Sequence, residues 1–62
     1  MDFNYEFKIS QNVKIFDDDD EAWIYGKVID TTMVSVIIKW NDLTDPCKHN
    51  REEYSKIKVI QP

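Results

Sequence analysis

Three groups of side chains in this chain are of types that do chemistry. Cys47 and His49 put a thiol and an imidazole two residues apart. A zinc site wants four ligands, and a cysteine nucleophile wants an oxyanion hole and a cleft, so one Cys and one His read as loop residues. Asp17, Asp18, Asp19, Asp20 and Glu21 form an unbroken acidic run. Clustered carboxylates suit Ca²⁺ or Mg²⁺, but five consecutive acids cannot all point inward, and no Gly is present for the sharp turn of a calcium loop. The run reads as a solvated face that discourages edge-to-edge pairing and offers a negative rim to a Lys- or Arg-bearing peptide. The third group is aromatic: Phe16, Trp23, Tyr25 and Trp40. Ring faces attract cations, and aromatics give much contact area for little side-chain entropy. No serine lies in a nucleophile-type motif, and a single glycine excludes a Gly-rich phosphate loop. No metal or other cofactor is expected, and the protein reads as non-enzymatic.

Length and charge narrow the classes further. The 62 residues hold one domain, because a chain of this size buries only about 60% of the surface its unfolded form exposes. Nearly every large apolar side chain is then needed to offset conformational entropy. Twelve acidic against eight basic residues give a net charge of −4, which repels phosphate backbones at long range and disfavours generic nucleic-acid binding. One cysteine cannot form an internal disulfide, and no secretory signal is visible, so a cytoplasmic location is expected, or a nuclear one if the source is eukaryotic. The longest apolar stretch, 34–38, is interrupted by Ser35 and falls far short of the roughly 20 residues that cross a bilayer.

The elements that position these side chains are strands. Val13, Ile15 and Phe16, the run 22–30 and the run 34–40 are rich in β-branched and aromatic residues, and Asp, Asn and Thr clusters separate them, which describes a β-meander. In the first strand Val13 and Ile15 share one face, and Lys14 and Phe16 the other. In the second, Ile24, Gly26 and Val28 oppose Trp23, Tyr25, Lys27 and Ile29. Gly26 marks a bulge, a sharp bend or a close backbone approach. In the third, Val34, Val36, Ile38 and Trp40 form the expected core face, with Met33, Ser35, Ile37 and Lys39 opposite.

Residues 41–50 hold turn formers and no hydrophobic periodicity, and read as a loop. A short fourth strand is expected over 51–54, a single tight turn over 55–57 and a last strand over 58–60. The alternative is a helix over 51–60, since Tyr54, Ile57 and Val59 fall near helical spacing, although β-branched residues weigh against it. Phe3, Tyr5 and Phe7 alternate with polar residues, so 1–11 reads as an N-terminal strand or arm docked on the rest.

Val13-x-Ile-Phe16, the acidic run 17–21, Trp23-Ile-Tyr25-Gly-Lys-Val28, Val34-x-Val-Ile-Ile-x-Trp40-Asn-Asp42 and Asn50-Arg-Glu-Glu53 resemble the order of motifs in Tudor domains. The resemblance spans roughly 8–62. It implies an all-β, five-stranded SH3-like (Tudor-like) small barrel with a single-turn helix before the last strand, a skeleton shared with chromo-barrel, KOW-type and SH3 domains. In Tudor domains an aromatic cage holds a methylated cationic side chain. By motif position its members here would be Phe16, Tyr25, Trp40 and Asn50, although the loop 41–50 is longer than the family's and carries no further aromatic; the competing reading is that Trp23, Tyr25 and Trp40 plug the barrel ends or cover the core.

The resulting expectation is a protein-binding module. Its groove, between the acidic loop and the loop 41–50, would take a basic or proline-containing peptide on Phe16, Trp23, Tyr25, Trp40, Asp42 and Asn50. Two alternatives stand beside it. A nucleic-acid-associated barrel would use Lys14, Lys27, Lys39, Lys48, Arg51, Lys56 and Lys58, and requires a basic patch despite the acidic total. A structural, self-assembling component would pair its edge strands or its N-terminal arm.

Overall fold

The structure is a computed structural model that describes residues 7–60. It is all-β: five antiparallel strands in one sheet, β1 (Asn12–Asp17), β2 (Ala22–Thr31), β3 (Ser35–Trp40), β4 (Cys47–Asn50) and β5 (Ile57–Val59), in the order β4-β3-β2-β1-β5. A 3₁₀-helix, η1 (Arg51–Lys56), joins the two edge strands and touches both. The sheet therefore stays open between β4 and β5, and η1 bridges the gap without strand hydrogen bonds. No helix among the described residues is long and apolar enough to cross a membrane.

Side-chain alternation sets which face is buried. Val13, Val28, Val36, Ile38, Trp40, Tyr54 and Ile57 form the core, and Ile15, Ile24, Cys47 and Val59 pack against it. The expected parity of β1 and β2 holds: Val13 pairs with Gly26 and Ile15 with Ile24 on the inner side, Lys14 with Tyr25 and Phe16 with Trp23 on the outer. Gly26 is a close approach. A Cβ there would lie 2.7 Å from Cε3 of Trp40 and 2.8 Å from the carbonyl oxygen of Lys39, so the indole occupies the space a side chain would fill. The bulge lies farther along, between Val28 and Asp30, where Ile29 is the extra residue and the register against β3 shifts.

Four expectations are corrected. Val34 is outside β3 and exposed, because the Thr32 hydroxyl accepts hydrogen bonds from the N–H groups of Val34 and Ser35 and holds the turn until Ser35. Residues 41–50 are not all loop: β4 occupies Cys47–Asn50, with half-buried Cys47 and His49 alternating with exposed Lys48 and Asn50. The segment 51–54 is not a strand. In η1 only Tyr54 is buried, and a tight helix turns its charged neighbours to water, with Glu52 and Glu53 in the first turn and Lys56 in the last, as the helix dipole favours. The last strand begins at Ile57, although Ile60 still donates to the Asn12 carbonyl.

Of the N-terminal aromatics, Phe3 and Tyr5 lie outside the described residues. Phe7 packs edge-on to Tyr54, with centroids 5.0 Å apart. Residues 8–11 form a turn in which Gln11 donates to the Lys8 carbonyl and Ser10 adopts φ 76°. The turn is pinned to β2 by Ser10 N–H on the Val28 carbonyl and Val28 N–H on the Gln11 carbonyl.

Candidate functional site

The outer face of the sheet carries the exposed chemistry. Phe16 and Trp23 stand opposite each other on β1 and β2, next to the point where Asp17 and Ala22 close the strand pair. Their rings meet edge to face at 5.3 Å. Tyr25 follows two residues along the same face, and the three are 44%, 41% and 46% exposed. In a chain short of core residues, these three rings leave a contiguous aromatic surface in water. The Lys14 ammonium lies 4.5 Å from the Trp23 ring centroid, so Trp23 already takes a cation from its own chain.

Acidic groups border this row on two sides. The loop 18–21 begins with an Asx turn, in which the Asp17 carboxylate accepts from the Asp19 N–H at 2.9 Å, and ends with Glu21 at φ 51°. On the other side Asn41 donates to the Tyr25 carbonyl at 2.8 Å, which sets the turn containing exposed Asp42 next to the tyrosine. Lys39 ties that turn down by donating to the Trp40 and Leu43 carbonyls. Exposed Leu43 extends the apolar surface at this end. Among the described residues no group of three or more His, Cys, Asp or Glu is placed to hold a metal ion.

Two of the six sequence candidates are elsewhere. Trp40 is 4% exposed and belongs to the core. It is the last residue of β3, its parity matches Val36 and Ile38, and it closes the core over Gly26. Asn50 pairs with Ser35 at the start of β3, five residues from Trp40, which at about 3.3 Å per residue puts it roughly 16 Å along the strand from the tyrosine's end of the sheet. Phe16, Trp23, Tyr25 and Asp42 thus gather at one end, and a four-member cage of Phe16, Tyr25, Trp40 and Asn50 does not assemble.

A connection that the sequence reading missed lies behind the sheet. The Trp40 indole N–H donates to Nε2 of His49 at 3.0 Å, and Nδ1 of His49 meets Oε1 of Glu53 at 2.6 Å. With Nε2 accepting, a neutral His49 carries its proton on Nδ1 and donates it to Glu53. The series fastens β3 to β4 and β4 to η1, and so anchors the element that bridges the open side of the sheet. Its sequence signal is the i, i+4 spacing of His49 and Glu53, read alongside Cys47 and His49 alternating as a half-buried strand.

Comparison with known proteins returns no match: no family model, no curated protein and no solved structure resembles the chain closely enough to be counted.

Proposed function

We propose that the protein is a non-enzymatic binding module with an SH3-like, Tudor-like small-barrel fold, in which η1 stands in for the missing strand-to-strand closure. Its ligand is a cationic segment of a partner protein, laid across Phe16, Trp23 and Tyr25 between the acidic loop and the Asp42 turn. The observation that carries this reading is the aromatic row itself: three half-exposed rings on one face, flanked on two sides by carboxylates. Aromatic anchors supply the contact area, and the acidic rims attract Lys or Arg and set orientation. Trp40 and Asn50 are not part of this surface, so the ligand's cation is read by open rings and a negative rim, without a closed methyl cage.

The test is a ¹⁵N-HSQC titration with Lys/Arg-rich peptides, unmodified and methylated. Shifts confined to Phe16, Trp23, Tyr25, Asp42 and residues 17–21, equal for both forms and lost in Trp23→Ala, are expected. A spectrum that stays still, or shifts centred away from this end, would remove the proposal. A strong preference for the methylated peptide would restore a cage.

A further inference from the structure

The middle of the outer face has a different composition from its aromatic end. Each of the five strands places one lysine there: Lys58 on β5, Lys14 on β1, Lys27 on β2, Lys39 on β3 and Lys48 on β4. The register fixes the face. Lys58 is opposite Lys14, and Lys14 is opposite outward Tyr25; Lys27 is opposite Lys39; Lys48 is opposite Ile37, which alternates with buried Val36 and Ile38. Their backbone positions run as a diagonal band from one sheet edge to the other, four strand spacings or about 19 Å across, with the Lys14 and Lys39 ammonium groups leaning towards the aromatic end, over Trp23 and onto the Trp40 and Leu43 carbonyls.

Two of these pairings set like charges directly across from each other, Lys14 with Lys58 and Lys27 with Lys39, an arrangement that works against the sheet. None of the five lysines has a carboxylate partner among the described residues, where the one close contact between a basic side chain and a carboxylate joins His49 to Glu53. Their recorded partners are neutral: the Trp23 ring for Lys14, the Trp40 and Leu43 carbonyls for Lys39 and the Ser55 carbonyl for Lys58. One acid, Asp30 opposite Ile37, shares the strand positions of this face. The acidic loop begins at the far end of β2. Ala22 is five residues from Lys27, roughly 16 Å, about two Debye lengths at physiological salt, so the loop's charge is largely screened at the centre of the band.

We propose that this band is a binding track for single-stranded nucleic acid, with the phosphates following the lysines and Tyr25 providing a stacking surface between Lys14 and Lys27. A linear polyanion matches one cation per strand across a continuous line, and an exposed ring within that line is what unpaired bases stack on. The chain's net charge of −4 opposes the long-range approach of a polyanion, so the contact rests on the local band. The band shares Tyr25 with the aromatic end, so a peptide and an oligonucleotide compete there, whereas Lys27, Lys48 and Lys58 lie outside the peptide surface.

The experiment is fluorescence anisotropy of a labelled oligothymidylate of about 12 nucleotides, within the roughly 4 to 16 that a single OB-fold covers, titrated with the full chain. Saturable binding near 50 mM salt is expected, weakening towards 200 mM with a log–log slope near −0.7 for each phosphate neutralised. The double variant Lys27→Gln, Lys48→Gln should make that slope shallower by about 1.4, at two contacts of about 0.7 each, and Tyr25→Ala should weaken binding about tenfold or more. Circular dichroism of each variant checks that it stays folded. Absence of binding at low salt, a slope indifferent to the double variant, tighter binding to duplex, or equal competition by polyglutamate would each overturn the assignment.

Discussion

Trp23 and Trp40 sit at the same end of the same sheet, one near the start of β2 and the other closing β3. Trp23 faces outward, 41% exposed, with Phe16 against its ring and Lys14 over it. Trp40 faces inward, 4% exposed, over a glycine that leaves room for it and with its indole N–H bonded to His49. Residue type is identical; strand parity and the cross-strand neighbour decide which one is scaffold and which one is surface. An indole can be buried only where its N–H finds a partner and its volume finds a gap, and β3 supplies both through His49 and Gly26.

The largest effect expected from breaking this contrast is at Trp40. Trp40→Ala removes a core residue and should cost about 3 to 5 kcal/mol. In a domain this small that approaches the whole stability, so thermal unfolding should show a collapsed or missing transition. Trp23→Ala should lose about 1 kcal/mol, the order of one aromatic pair and one exposed cation–π contact, and melt cooperatively. Equal losses at the two positions would dissolve the distinction.

The glycine beneath Trp40 comes next. In Gly26→Ala the new methyl would stand 2.7 Å from the indole and 2.8 Å from the Lys39 carbonyl oxygen. Relieving both contacts requires Trp40 to tilt and the β2 and β3 backbones to separate locally. Overpacking of this kind costs about 1 to 3 kcal/mol, measured by urea denaturation with Trp40 emission followed in a Trp23→Phe background. An unchanged midpoint would mean the indole has slack.

Much of this arrangement was legible in the sequence, and the illegible part has physical causes. β1 to β3 announce themselves because their residues are β-branched or aromatic and alternate between faces, so Val13, Val28 and Ile38 were assignable to the core. Trp40 carried two signals, a motif position that suggested a site and a parity that suggested core; parity is the closer consequence of backbone geometry, and it prevailed. β4 was hidden because Cys47, Lys48, His49 and Asn50 include no strong strand former. As an edge strand it is held by β3 and by the His49 bonds, which are tertiary. η1 was hidden because one buried residue, Tyr54, has no period to read. The lysine band needed no motif, only a register that places five separate lysines in one line.

His49 sharpens the contrast from the other side of the sheet. His49→Ala leaves the Trp40 indole N–H without its acceptor and releases Glu53, which should cost about 1 to 2 kcal/mol, the range for an orphaned, partly buried donor. Hydrogen exchange should rise across β4 and η1 before β1 and β2 respond, because the lost bonds join those two elements to β3. Uniform loss of protection would show that η1 is held by Tyr54 packing alone.

The smallest expected effect is at Lys14, and it bears on what the outward tryptophan is for. Lys14 lies 4.5 Å from the Trp23 centroid and directly across from Lys58, so its charge is attracted by one neighbour and repelled by another. The cation–π contact at an exposed site is worth about 0.5 to 1 kcal/mol, and like-charge relief across the strand pair recovers a similar amount. Lys14→Gln should therefore change stability by less than about 0.5 kcal/mol in either direction. Binding should move more than stability. With the internal cation gone, the Trp23 face is open to an incoming Lys or Arg, and a cationic peptide should bind several-fold more tightly to Lys14→Gln while an oligonucleotide binds more weakly. Isothermal titration of both ligands against the same variant reads the two changes side by side, and movement of both in the same direction would mean that the aromatic end and the lysine band act as one surface.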